Sequence, residues 1–342
     1  MNPAQTIREE IPPQAVIIQI AFGFILSQAL SVAAKLRIAD LLADGPKTAD
    51  EIASAADAHG PTVFRLMRAL AKAGIFVRDE QDRFSNTSLS EFLRSDHPDS
   101  MRGMAHMICD TEHWLAQGNL EHSVRKGECG FAHTFGKPVF DYYGEHPEAA
   151  AIFDEAMTSL STTVGKAVAD TYDFSDAGTV ADIGGGHGIL ISSVLKANPE
   201  AKGVLFDQPY VVENAAMPAR EGVADRTEIV GGDFFSEVPV EADAYLLKHI
   251  IHDWNDEESV RILSNIAKHA KPGSKLLLVE SVVEDTDVPS LSGLMDLNML
   301  AMTSGRERTA SEYADLLERS GFELRQVIPT PSPMQIVEAV RK

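Results

Sequence analysis

The sequence predicts a two-part α/β protein: a mainly helical first half with a winged-helix pattern, then an open parallel sheet of the nucleotide-binding kind. Three observations carry this. After Asp173, short apolar runs alternate with stretches long enough for helices, which implies a parallel sheet covered on both faces. A glycine loop, Asp182-x-Gly184-x-Gly186-x-Gly188, follows the first of those runs. Between Leu36 and Arg94, helical patterns with tight turns precede a small hairpin. The 342 residues exceed the roughly 100–200 of a single domain. We divide the chain into residues 1–100, helical with the winged pattern; 101–175, a helical linker; and 176–342, the sheet domain.

Composition narrows the function. Apolar content of 44% and charged content of 24% are those of a folded globular chain. A net charge of −21 repels phosphate backbones and argues against nucleic acid as a partner. Cys109 and Cys129 are the only cysteines, too few for a disulfide framework, so we expect reduced thiols and a cytoplasmic setting.

In chain order, the first element is an uncharged stretch from Ile11 to Ala34, almost all apolar around Val16 to Leu26. Gln19, Ser27, Gln28 and Ser31 interrupt it, and the preceding Arg8-Glu9-Glu10 is net acidic where a signal peptide is basic. It reads as a buried helix in a dimer contact, not as a membrane span. Thr48-Ala49-Asp50-Glu51 is a capping box that starts a helix at Ala49. Pro61 opens the next helix, whose apolar positions run from Val63 to Ala71 before a stop at Gly74. Ile75-Phe76-Val77 and Arg83-Phe84 then flank a turn. Such a module can bind DNA, but only Arg65, Arg68 and Lys72 are basic on its second helix and three acids crowd the wing tip. A structural or dimerisation role fits better.

Residues 101–175 continue as helices and hold the densest aromatic content. Phe153 and Met157 share one helix face; they are read either as core or as the wall of an apolar pocket for a flat ligand.

In the second half the strand Thr179–Ile183 leads into the glycine loop and a helix from Ile189 to Ala197. Further strands are expected at Lys202–Asp207, 228–230, Ala244–Lys248 and Lys275–Glu280. Ligands of such sheets sit at the carboxyl ends of the strands. The loop lacks the spacing of dinucleotide enzymes and the Lys-Ser/Thr ending of triphosphate loops. Asp207, 25 residues after Asp182, can accept from a ribose diol. Asp233 and Phe234 offer an acid and a ring suited to adenine. Alone, each acid is more often a strand-end or capping residue. In register across three strands they favour an adenosyl ligand without a pyrophosphate.

The stretch Lys248-His249-Ile250-Ile251-His252-Asp253-Trp254-Asn255-Asp256 ends the fourth of these strands. A zinc site would need further ligands, and neither a nearby Cys nor an HExxH pattern supplies them. No metal is expected. His252 lies on the connection to a helix from Glu257 to His269, capped by Asn255 or Asp256. That puts it at the ligand-facing edge, whereas His249 reads as a packing or surface residue. Glu280 ends the fifth strand and Glu307 precedes a helix capped at Thr309. Either carboxylate could orient His252.

Together these residues resemble the S-adenosylmethionine-dependent O-methyltransferases of the plant caffeate type and their bacterial antibiotic-pathway relatives. The likeness covers most of the chain and includes VADIGGGHG, VLFDQPYVVENA, GGDFF, LKHIIHDWNDEESVRIL and GRERT in order. It implies a Rossmann-like methyltransferase domain behind a winged-helix dimerisation domain, and an intertwined homodimer. Asp182, Gly184 and Gly186 would shape the cofactor loop, with Gly184 near the methionine part. Asp207 would hold the ribose, Asp233 and Phe234 the adenine, Lys248 the adenosine side, and Ser161 would touch the cofactor. His252 would be the general base flanked by Glu280 and Glu307. Phe153, Met157, Asn298 and Met299 would line a pocket for a small aromatic hydroxyl compound. A phenol with a pKa near ~10 needs a base at neutral pH, and an imidazole near ~6.5 can serve. Some members of this family methylate nitrogen or have turned to decarboxylation or hydroxylation; the presence of His252, Glu280 and Glu307 favours O-methylation.

Overall fold

The computed structural model describes residues 12–284, 286 and 290–342. The chain forms two compact units: Met1–Trp114 with Glu148–Ser159, and Leu115–Pro147 with Leu160–Lys342. Residues 101–175 are thus shared between the units, and the helix Pro147–Thr171 runs through both.

The first unit begins with the helix Pro13–Lys35, which starts at a proline as helices tolerate. The acidic flank Arg8-Glu9-Glu10 lies outside the described residues. The expectation of a buried helix is corrected within one chain. Ile20 is 70% exposed and Phe22 61%, and only Ser31, Ala33 and Ala34 are buried. The cause is that its apolar residues surround the helix, while a single chain covers only its carboxyl end. Two of the polar residues that interrupt the stretch serve that end: Gln28 Nε2 donates to the Cys109 carbonyl and Ser31 Oγ to the His106 carbonyl. By length and composition this helix is long and apolar enough to cross a membrane.

The winged pattern forms as expected. The capping box closes at Thr48, whose Oγ1 accepts from the Glu51 amide while Glu51 accepts from the Thr48 amide. It starts the helix Ala49–Ala55, and the helix Gly60–Lys72 ends before Gly74 at φ 77°. Strands β1 (Lys47–Thr48), β2 (Phe76–Arg78) and β3 (Arg83–Asn86) form an antiparallel sheet in the order β1-β3-β2. Ile38, Ile52, Met67, Leu70, Phe76 and Phe84 build one core beneath it.

The second unit is built on β4 (Thr179–Ile183), β5 (Lys202–Asp207), β6 (Thr227–Gly231), β7 (Ala244–Lys248) and β8 (Lys275–Glu280), all parallel. The expectation of a wholly parallel sheet is also corrected. After the short pair β9 (Val282–Val283) and β10 (Arg308–Thr309), the strands β11 (Phe322–Pro329) and β12 (Gln335–Arg341) return as a hairpin. The five residues between them are too few for a parallel crossover, so β12 lies antiparallel to both β11 and β8. The full order is β11-β12-β8-β7-β4-β5-β6. Apolar cores cover both faces, one centred on Phe206, Tyr245 and Leu278, the other on Leu190, Leu205 and Leu246. All five parallel strands therefore deliver their carboxyl ends to one edge.

Candidate active site

The strand order fixes which loops meet at that edge. β4 lies between β5 and β7, so the glycine loop after Ile183 sits between the loops that carry Asp207 and Lys248. Gly184 and Gly186 have φ of 71° and 58°, a region costly for any side chain. The Gly184 amide donates to the Phe206 carbonyl. A Cβ at Gly184 would meet Ile250 Cδ1 at 2.5 Å and Phe234 Cε1 at 3.7 Å. The loop, Phe234 and the His252 segment thus converge around one stretch of bare backbone.

The acids do two things each. Asp207 accepts the Gly186 amide at 2.8 Å on Oδ2 and the Gln208 amide at 2.7 Å on Oδ1. Asp233 caps the turn after β6, accepting from the Phe235 amide and the Ser236 hydroxyl. Both are capping residues, each holding its own loop at the carboxyl end of a strand. Asp182 is buried and accepts the Ile191 amide, fastening the loop to the helix Ile189–Ala197. Burial pushes its pKa up to about 7, with Lys248 acting against the rise. Lys248 lies one same-face step beyond Leu246, which pairs with Asp182. Burial lowers the pKa of its ammonium, and Asp182, Glu280 and Asp253 oppose that fall. Ser161 is buried on the helix Pro147–Thr171. One turn on, Gly165 lets this helix approach the helix Ile189–Ala197, where a Cβ would meet Ser193 Oγ at 3.0 Å.

His252 sits in a 3-10 turn, Ile251–Asp253, and is 6% exposed. Its Nδ1 lies 2.9 Å from Glu307 Oε1 and 3.7 Å from Glu280 Oε2. Glu307 is the orienting carboxylate. Glu280 instead spends Oε1 on the amides of Ile250 and Ile251, at 3.1 and 2.9 Å, and so holds the turn itself. Glu280 and Glu307 meet because β10 pairs with β9 in parallel, Arg308 opposite Val282. Asp296 fixes this strand from the helix Ser292–Met302 by accepting the Glu307 amide. The three ligand atoms of His252, Glu280 and Glu307 lie within 4.8 Å of one another.

Asp253 adds a third carboxylate, 3.7 Å from His252 Nε2. Burial pulls the imidazole pKa down, but Glu280, Asp253 and Glu307 outweigh it and push it up to about 10. Burial in turn pushes Glu280 up to about 7 and Asp253 up to about 6, against the attraction of His252. The cluster binds protons tightly and carries more acidic groups than basic ones.

His249 is a packing residue, partly buried beside His252. At φ 54° its ring lies parallel to that of His252, centroids 5.2 Å apart, with Nε2 against Met334 Sδ at 2.9 Å. Burial and the charges of Lys248 and His252 hold its pKa well below the ordinary imidazole value. The aromatic wall beside the turn is Trp254, packed on Phe140, Phe234 and Phe235. Asn298 and Met299 stand on the helix Ser292–Met302, Asn298 accepting from Gln117 Nε2 and Met299 buried. Phe153 and Met157 stand one turn apart in the first unit, both half-buried. Sequence reasoning missed Asp253, Asp296, Gly305 and Arg308. Asp253 had a signal in following His252 directly, and Gly305 and Arg308 lie within the GRERT stretch beside Glu307; Asp296 had none.

Comparison with known proteins bears on this geometry. A family model described as the O-methyltransferase domain matches residues 117–323, and one described as the O-methyltransferase dimerisation domain matches residues 18–96. The phenazine O-methyltransferase of Lysobacter antibioticus is 43% identical over 96% of this chain and 96% of its own. The mitomycin biosynthesis 6-O-methyltransferase of Streptomyces lavendulae is 41% identical over 92% and 91%. Among solved structures, human N-acetylserotonin methyltransferase in complex with S-adenosylmethionine superposes with a TM-score of 0.90 at 29% identity, over 100% of this chain and 99% of the other.

Proposed function

The chain belongs to the S-adenosylmethionine-dependent O-methyltransferases, with a dimerisation domain ahead of the catalytic one, and from that premise we propose that it methylates a phenolic hydroxyl of a small aromatic molecule, with His252 as the base. What supports the reading is the His252–Glu307 hydrogen bond. A carboxylate only accepts, so the imidazole proton stands on Nδ1 and Nε2 is the nitrogen that takes the acceptor's proton.

The residues at the sheet edge fit the cofactor. The backbone cradle at Gly184, bounded by Phe234 and Ile250, leaves room that any side chain would fill. We assign to it the methionine part, to Asp207 the ribose, to Asp233 and Phe234 the adenine, and supporting contacts to Ser161, Asp182, Gly186 and Lys248. When bound, S-adenosylmethionine supplies an electrophilic methyl carbon and one positive charge, so the reading requires no metal. An acidic cluster is suited to that charge.

The protein's own part is positioning and proton transfer. Glu280 fixes the turn, Glu307 fixes the ring, and Asp253 stabilises the imidazolium that forms. Holding oxygen and methyl carbon together contributes up to ~7–11 kcal/mol in favourable cases. Asn298 and Met299 are proposed to face the acceptor; the same role for Phe153 and Met157 rests on the resemblance alone. The exposed helix Pro13–Lys35 is proposed to be covered by a second copy of the chain, and the free thiols of Cys109 and Cys129 support a cytoplasmic setting. Incubation with a panel of hydroxylated aromatics and S-adenosylmethionine should add one CH2 unit to a phenolic product. Loss of a carboxyl group or gain of oxygen in its place would sink the proposal.

A further inference from the structure

Arg308 plays no part in the proton transfer above, yet it is wholly buried. A guanidinium in that position is tolerated only when its donors are filled. They are filled by one stretch of chain. Nη1 donates to the Ile251 carbonyl and Nη2 to the Trp254 carbonyl, both at 2.8 Å. Asp256 Oδ1 takes Nη2 at 2.8 Å and Nε at 3.1 Å. These acceptors bracket His252 on both sides.

The residue before Arg308 is Glu307, which holds the imidazole itself. Glu307 directly precedes the strand that Arg308 begins, so one dipeptide grips the ring through one residue and the backbone on either side of it through the other. Contact is close. A Cβ on Gly305 would meet the His252 carbonyl oxygen at 1.8 Å and the Asp253 carbonyl carbon at 2.4 Å. A shift of the 305–308 segment is therefore passed on to the turn.

We propose that Arg308 is a positioning residue that sets where the His252 ring stands against Glu307, acting through the Ile251 and Trp254 carbonyls and Asp256. The inference rests on the reading of His252 as base. Lysine cannot replace it, because one ammonium cannot reach three acceptors spread along a loop.

The test uses the full-length enzyme. Arg308→Lys should lower kcat by as much as ~100-fold, the scale of a displacement near 1 Å, with the KM for the acceptor and the Kd of S-adenosylhomocysteine little changed. With 15N-histidine labelling, the Nδ1–H resonance of His252, assigned by its loss in His252→Gln, should move in Arg308→Lys. Glu307→Gln combined with Arg308→Lys should lose no more than the worse single variant, since both act on one link. If Arg308→Lys does not fold, Asp256→Asn keeps the carbonyl bonds, and should move the same resonance with a smaller loss in kcat. A folded Arg308→Lys with unchanged resonance and kcat overturns the proposal, as does an unmoved resonance in Asp256→Asn when that is the variant measured. Full activity in His252→Gln removes the base reading separately, since the resonance measurement reports the Arg308 link without reference to turnover.

Discussion

His252 donates from Nδ1 to Glu307 Oε1 over 2.9 Å, across 55 residues of sequence. The bond fixes the tautomer and adds to the charges that raise the imidazole pKa to about 10. A base must lose its proton to act, so kcat/KM should rise with pH along a limb set by the free enzyme. Glu307→Gln removes one of the raising charges. The limb should move to lower pH and the plateau should fall about tenfold, roughly the ~1.5 kcal/mol of a charge-assisted hydrogen bond. Rate measurements across pH with both enzymes check this; a limb that stays in place, or moves upward, contradicts it.

The same charges make cofactor binding a proton-linked event. The surrounding carboxylates raise the His252 pKa to about 10, and burial raises Glu280 to about 7 and Asp253 to about 6, so all three hold their protons more tightly than free side chains do. A positive charge entering the cluster favours the deprotonated forms of all three. S-adenosylmethionine should therefore release more protons than S-adenosylhomocysteine, whose sulfur is neutral. Calorimetry in buffers of different ionisation enthalpy measures the difference; equal proton release for the two ligands would count against the electrostatic account.

Much of this was legible in the sequence. The period of the apolar runs located the five parallel strands, and the caps read at Thr48, at Asn255 or Asp256, and at Thr309 located helix starts within a residue. Local rules of this kind act over a few residues and leave a local signal. The rest depended on pairing at a distance. No local feature says that β10 lies beside β9, yet that pairing chooses Glu307 over Glu280 as the partner of His252. The hairpin of β11 and β12 was likewise hidden, because its antiparallel position is set by a short turn and a free sheet edge. The exposure of the helix Pro13–Lys35 within one chain was not legible either, because composition reports an apolar surface without saying which chain covers it.

Gly184 and Gly186 separate two costs. Both have positive φ, but a Cβ at Gly184 would also enter the space beside Ile250 and Phe234, whereas nothing lies within 4 Å of one at Gly186. Strain at such a site costs about 1–3 kcal/mol. Gly184→Ala should weaken S-adenosylhomocysteine binding by about tenfold, some 1.4 kcal/mol, and Gly186→Ala should weaken it less. Titration calorimetry decides, with the reverse ranking as the adverse result.

The exposed face of the helix Pro13–Lys35 should be covered by a second copy. Phe22→Asp places a charge on a residue that is 61% exposed in one chain. The unaltered protein should sediment as a dimer at micromolar concentration and the variant as a monomer. Flotation of the unaltered protein with lipid vesicles, or sedimentation as a monomer, would refute the dimer contact.

The central claim is that His252 takes the acceptor's proton, and kcat for His252→Ala tests it most directly. With S-adenosylhomocysteine binding retained by calorimetry, kcat should fall at least ~100-fold, the lower range for a general base. An unchanged kcat in a variant that still binds the cofactor product would contradict the account.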